Sequence, residues 1–322
     1  MASVIARNSG KAATNIVWLM LLAALSFVGL PRVDEMYTSF KLLVPPGNGI
    51  AKEKKSDAAI VVLTTAEEKD VAALQRNLGA LGNALPKSEA PVLVFHEGDL
   101  SALQIETLTS VLHDGGYLGD VHFPNVTLNI PEGCCDFEPN WSKRTQFGYH
   151  NMIRFWIKDL WNHPALVDGG FKTVMRLDTD SIIQERQPED DLIPSLPPHL
   201  VYRGNVMNED GGVVMQYFGD FVDKILETWT PKNKELIKLF QEKWASEKSA
   251  PGIFNNFFIA RTEFFQRPKV KELVDMMCCR PPDYFVYRYR WGDAVIHLFL
   301  LAMEANPDEY VIQPPKGYSH EG

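Results

Sequence analysis

Apolar residues in this chain fall in blocks whose lengths and spacings separate strands from helices. Residues 58–63 (Ala-Ala-Ile-Val-Val-Leu) are an unbroken apolar run with β-branched side chains, the pattern of a strand buried on both faces. From 67 to 85 the apolar positions Val71, Leu74, Leu78 and Leu81 recur at helical spacing. Residues 91–96 (Pro-Val-Leu-Val-Phe-His) predict a second buried strand and 100–112 a second helix. Strand, helix, strand, helix is the order of an α/β fold with a doubly wound sheet. Loop character spans about 121–145, a helix is expected over 149–161, and 171–177 (Phe-Lys-Thr-Val-Met-Arg-Leu) reads as a central strand. No Gly-x-Gly-x-x-Gly follows the first strand, so the pattern does not support a dinucleotide site of that type.

The first 31 residues differ from the rest. Arg7 and Lys11 precede the uncharged run Ile16 to Leu30, whose 15 residues would span about 22 Å as a helix. A signal anchor and a cleaved signal peptide both fit, and both place the remainder in the secretory lumen. The expected organisation is therefore a cytoplasmic tail and anchor over 1–31, a stem over 32–56 and a catalytic domain over 57–322. The stem contains Pro45-Pro-Gly-Asn-Gly and Lys52-Glu-Lys-Lys55. Two sequons, Asn125-Val-Thr127 and Asn140-Trp-Ser142, agree with a lumenal placement. The four cysteines come as Cys134-Cys135 and Cys278-Cys279, and bridges from one pair to the other are expected rather than bridges between neighbours. A net charge of -9 excludes a nucleic-acid footprint. An acidic protein that handles an anionic nucleotide needs a local cation, either a metal or well-placed Arg and Lys.

Three segments carry candidate chemistry. Arg176-Leu177-Asp178-Thr179-Asp180 closes the central strand, and in an open α/β sheet ligands gather at the carboxyl ends of strands. Two carboxylates at i and i+2 offer hard oxygens to Mn²⁺ or Mg²⁺, although an acidic turn after a strand is also common. In Tyr287-Arg-Tyr-Arg-Trp-Gly-Asp-Ala-Val-Ile-His297, a helix starting near Gly292 puts Asp293 in its first turn and His297 one turn later on the same face. A neutral His297 imidazole is then a candidate third metal ligand, against the plainer reading of a core histidine. The third segment, Tyr149-His-Asn-Met-Ile-Arg-Phe-Trp156, spaces aromatics as a core-facing helix does, and Arg154 is either a phosphate contact or a surface cation.

In this order the three segments resemble the fungal Golgi α-1,2-mannosyltransferases, glycosyltransferase family 15. The family's Tyr-x-x-Met-x-Arg-Phe helix is matched by Tyr149 to Phe155. Its Trp-Arg-Val-Glu-Pro-Asp motif is matched by Met175 to Asp180, and its Arg-Trp-Gly-Asp-Ala-Pro-Val-His motif by Arg290 to His297. The resemblance covers residues 57–318 and is most specific in the last motif. It implies a GT-A fold with a mixed, mostly parallel sheet. It also implies a GDP-mannose donor, a glycan acceptor, Mn²⁺ (or Mg²⁺), a type II Golgi or ER membrane topology and retention of configuration. By motif matching, Asp178, Asp180 and His297 stand at the metal. Tyr149 and Asp293 stand at the reacting sugar, and Arg154, Arg176, Asp178 and Trp291 at the nucleotide-sugar. One position departs: the family has Ser-Asn-Phe-Glu-Ile where this chain has Asn255-Asn256-Phe257-Phe258-Ile259, so Phe258 replaces the family's candidate nucleophile. Three consequences are open: a front-face mechanism without that carboxylate, service by another acid such as Glu263, or a catalytically silent domain that still binds nucleotide-sugar or glycan.

Overall fold

The run at 58–63 has no polar position because both faces of the strand it forms are covered by apolar side chains. A computed structural model describes residues 56–137, 147–187 and 196–320, within the unit Lys55–Gly322. β1 (Ala58–Leu63), α1 (Glu68–Ala84), β2 (Val92–Phe95), α2 (Ala102–Asp114) and a two-residue β3 (Val121–His122) follow in turn. The first four elements lie within two residues of their expected bounds. Residues Gly148–Arg154 form α3, which widens into a π turn over Phe155–Asp159 before a last α-helical turn. β4 (Thr173–Leu177) follows and pairs in parallel with β1. The strand order of the seven-stranded sheet, which the next strands complete, has β1 and β4 at its centre.

Past β4 come β5 (Ser181–Ile183), β6 (Tyr202–Gly204) and β7 (Met207–Gly211). The helices α4 (Phe218–Leu226) and α5 (Lys234–Glu247) are followed by β8 (Ser249–Ile253) and β9 (Phe257–Arg261). The chain continues through α6 (Pro268–Cys278), α7 (Phe285–Tyr289) and α8 (Asp293–Glu304), and returns as β10 (Tyr310–Ile312) and β11 (Tyr318–His320). The sheet order is β10-β6-β9-β4-β1-β2-β3. Only β9 runs antiparallel to its neighbours, so the sheet is mixed and mostly parallel, as expected. Two small ribbons, β5–β11 and β7–β8, stand apart from it.

Apolar side chains cover the sheet on both faces. One face packs Ile60, Val62 and Met175 against α1, α2 and their loops; the other packs Val61, Val174, Phe258 and Ala260 against α3, α4, α6 and α8. Close approach of α1 and α2 requires Gly82, because a Cβ there would meet the Leu112 carbonyl oxygen at 2.4 Å. The helix α8 is buried at every one of its residues, so it has no solvent face at all.

One expectation meets the structure differently and three lie beyond it. The sulfurs pair as neighbours, Cys134 with Cys135 and Cys278 with Cys279, and not across the two pairs. The anchor at 1–31, the stem and the sequon at Asn140 fall outside the described residues. Among those described, no helix is long and apolar enough to cross a membrane.

Candidate active site

The acidic turn after β4 is held from both sides by asparagines. Asn77 of α1 donates its Nδ2 to the Asp178 carbonyl at 2.8 Å and also reaches the Ser181 carbonyl. From the other side the Asn256 carbonyl accepts from the Asp178 amide and from Ser181 Oγ, each at 3.0 Å. Asn256 is itself held by Asn205 Nδ2 at 2.8 Å. A polar turn in this position is obligatory: backbone groups at the end of a buried strand need partners once water is excluded.

Arg176, the last but one residue of β4, organises the centre. It is 3% exposed. Its Nε donates to Asp178 Oδ1 at 2.8 Å, its Nη1 to Asp293 Oδ2 at 2.5 Å, and the guanidinium lies 3.9 Å from the centre of the Trp156 ring. One planar cation thus joins the turn after β4 to the first turn of α8, in the fork geometry that suits Arg and not Lys. Burial alone would raise the Asp293 carboxyl, but Arg176 outweighs it and holds that group below the usual carboxylate range. Asp178 goes the other way. Burial raises it, Arg176 offsets only part, and Asp293 and Asp180 add repulsion. A carboxylate in that position is relieved by a second cation.

The imidazole beside Asp180 is that of His320, at the end of β11. Its Nδ1 lies 3.3 Å from Asp180 Oδ1 and makes no hydrogen bond. His297, expected at the metal, is elsewhere: it is 1% exposed, with Nδ1 3.1 Å from the Tyr202 hydroxyl and its ring against Phe258 and Phe265. The cause is the wholly buried helix on which it sits. Burial holds the His297 imidazole down to about 4, so the ring is neutral at pH 7. The sign follows from the unfolded chain, whose histidine takes up a proton near ~6.5. The unfolded state therefore binds more protons between about 6.5 and about 4, and His297 lowers stability as the pH falls through that window. The urea midpoint should drop on acidification from pH 7 to pH 5, and His297→Gln should flatten the drop; an unchanged slope would remove the assignment.

Around Tyr149 lies a second group. The Arg290 guanidinium sits 4.7 Å from the centre of the Tyr149 ring and donates to its hydroxyl at 3.3 Å. Burial, with Asp293 nearby, raises the phenol above its ordinary value, so it stays protonated and can donate. Asp210 of β7 belongs to the same group. Its Oδ2 occupies the space a side chain at Gly292 would need, where a Cβ would lie 2.8 Å away. Burial raises the Asp210 carboxyl, Arg290 lowers it and Asp293 raises it again. Unlike Asp178 and Asp293, Asp210 makes no hydrogen bond or ion pair among the described residues.

Other expected contacts are not at this centre. Trp291 is fully buried, stacks on Phe285 with ring centres 4.3 Å apart, and gives its indole N–H to the Gln216 carbonyl at 3.0 Å, so no part of its side chain is left for a nucleotide. Arg154 pairs with Asp159 at 2.7 Å and donates to the Asn129 carbonyl. Phe258 is fully buried, packed on Tyr202 and Trp161. Glu263 cannot stand in for a carboxylate there. The antiparallel register pairs Arg261 with Thr173 and Phe257 with Leu177, which puts Glu263 at the far end of β4, roughly 13 Å or more from Asp178 along the strand.

No family model matches the chain, and no curated protein sequence matches it. Among solved structures it is similar to core-mannan synthase A (CmsA/Ktr4) from Aspergillus fumigatus in a Mn/GDP form. The identity is 16% and the TM-score 0.66, over 83% of this chain and 75% of that one. It is also similar to the mannosyltransferase Ktr4p from S. cerevisiae, at 18% identity and TM-score 0.68, over 83% of this chain and 71% of that one. The GDP complex of Ktr4p gives 17% and 0.67. This chain has the fold of those mannosyltransferases.

On that mannosyltransferase fold, the residues with the chemistry to hold a divalent cation are Asp178, Asp180 and His320. Two carboxylates and an imidazole suit Mn²⁺. The unbonded Nδ1 of His320 beside Asp180 is the observation that fits. Among the described residues no three such side chains are already gathered as a metal site, because Asp178 is turned to Arg176. Sequence reasoning missed His320 and Asp210. Nothing local marks either: His320 follows a loop after β10, and Asp210 sits in a polar strand, Met-Asn-Glu-Asp-Gly, that reads as surface.

Proposed function

We propose that this protein is a metal-dependent hexosyltransferase that moves mannose from GDP-mannose to a glycan acceptor. The observation that carries the reading is the pairing of Asp180 with His320 at the carboxyl end of β4, on a fold whose solved relatives include a Mn/GDP form. Retention of configuration and an α-1,2 linkage are the finer reading, supported by the order of the three sequence motifs. An N-terminal anchor and a lumenal catalytic domain complete it.

A bound Mn²⁺ would neutralise the diphosphate and the charge that develops on it as it leaves. The chain's own residues do the rest. Arg176 holds Asp178 and Asp293 at fixed positions. The protonated Tyr149 hydroxyl donates a hydrogen bond at the reacting centre, with Arg290 fixing its ring. Asp210, beside Arg290 and Asp293, accepts hydrogen bonds from sugar hydroxyls. Because Phe258 is buried and apolar, no carboxylate attacks the donor sugar from that position, which favours attack by the acceptor on the face the diphosphate leaves.

Phe258 favours a second reading as well: a domain that binds nucleotide-sugar without turnover. Both readings are separated by one pair of measurements. With Mn²⁺, GDP-mannose at about a hundred times its Kd should raise the melting temperature by about 5 °C or more, and by much less with chelator. Release of GDP in the presence of mannosyl acceptors then marks the transferase, and a shift without release marks the silent domain. No shift with GDP-mannose, and a clear one with another nucleotide-sugar, would reassign the donor.

A further inference from the structure

A cleft of about 480 Å³ opens between the start of α4 and the α7 segment. Its lining is aromatic, with Tyr217 and Tyr289 in contact at 5.2 Å between ring centres and tilted by 44°, and Phe285 beside them. Asp220, Asp283 and Arg280 supply polar groups at its edge. Tyr217 is 54% exposed, an unusual state for a ring of that size that already has an aromatic partner.

The backbone around this cleft is constrained. Five non-glycine residues of the described chain have positive φ, and three of them flank it: Tyr217 at 62°, Tyr284 at 42° and Arg290 at 63°. Bulky side chains seldom adopt that region, and such conformations persist where surrounding structure enforces them, most often at ligand sites. The enforcing contacts lead to the candidate active site. Gln216, just before Tyr217, accepts from Trp291 Nε1, and Arg290, just after Tyr289, packs on Tyr149. Both walls are thereby tied to the segment Arg290 to Asp293.

We infer that this cleft is an acceptor subsite, which holds sugar units of an oligosaccharide beyond the unit that reacts. The inference rests on the transferase reading and adds to it the place where acceptor units beyond the reacting one are held. One face of a pyranose ring is a patch of C–H groups and lies well on an aromatic face, while its hydroxyls need carboxylate and guanidinium partners. Rings at an angle with acids and an Arg at the rim offer both. A peptide strand would need backbone pairing along a strand edge, and the cleft, lined from helices, offers none.

The test uses the full chain with Mn²⁺, GDP-mannose, and α-linked mannosyl acceptors of one to four units. In the wild-type protein the acceptor KM should fall as the acceptor lengthens. In Tyr217→Ala the KM for three- and four-unit acceptors should rise about tenfold, with kcat, the donor KM and the KM for methyl mannoside unchanged. Equal loss on the one-unit acceptor, or no loss on long ones, overturns the subsite. If no mannosyl acceptor is used at all, the transferase reading is what has failed, and binding decides the cleft separately. An array of immobilised oligosaccharides should then bind wild type and lose Tyr217→Ala, and an array that binds neither protein overturns the proposal.

Discussion

Arg176→Ala should be the most destabilising single change in the centre of this protein, by about 3–5 kcal/mol. The residue is buried and bonded to two carboxylates, Asp178 at 2.8 Å and Asp293 at 2.5 Å, and it covers Trp156. Without it, the buried Asp293 and the half-buried Asp178 are left with no cation between them, and desolvation of Asp293 is no longer offset. Loss of packing on Trp156 adds to this. The urea midpoint should fall while the slope of the transition stays near wild type. Arg176→Lys should recover only part of the loss, because an ammonium cannot serve both acids in one plane. Adding Asp293→Asn to Arg176→Ala should restore some stability, since one of the stranded charges is gone; simple additivity in that double variant would show that the two residues are not coupled.

Asp180→Ala should lower transfer by roughly 10³-fold or more while leaving the fold intact. Asp180 is partly exposed and lies against His320. Its removal also takes away a charge that repels Asp178, so stability without ligand should hold or rise slightly. The thermal shift given by GDP with Mn²⁺ should vanish. His320→Ala should act more gently, raising the Mn²⁺ concentration for half-maximal rate with a smaller fall in kcat, because a neutral ligand is lost rather than a charge. His297→Gln should leave Mn²⁺ dependence alone and lower stability. An Asp180→Ala enzyme with normal turnover would end the metal assignment, and a Mn²⁺ dependence that follows His297 in place of His320 would reverse the imidazole assignment.

The sheet and its helices were legible in the chain because strand and helix periods are local properties. Residues 58–63 and 91–96 are apolar throughout, and a strand paired on both edges and covered on both faces requires just that. The acidic turn at Asp178 to Asp180 was equally legible, since a strand must end in polar backbone partners. Even the buried state of His297 was available in principle: the residues from Asp293 to Glu304 offer hardly any polar stripe, and a helix without one has no solvent face.

Tertiary structure alone decided which side chains meet. His320 reaches Asp180 because β11 pairs with β5, which sets His320 opposite Ser181, 139 residues earlier, and no spacing in the sequence encodes that pairing. Asp210 reaches Asp293 and Arg290 through the β7–β8 ribbon packed on α8. Trp291 leaves the nucleotide for the core because aromatic residues of α4 and α7 close over it. Local periodicity fixes which elements form; long-range packing, where burial must be matched to a partner, fixes which polar groups are left to act.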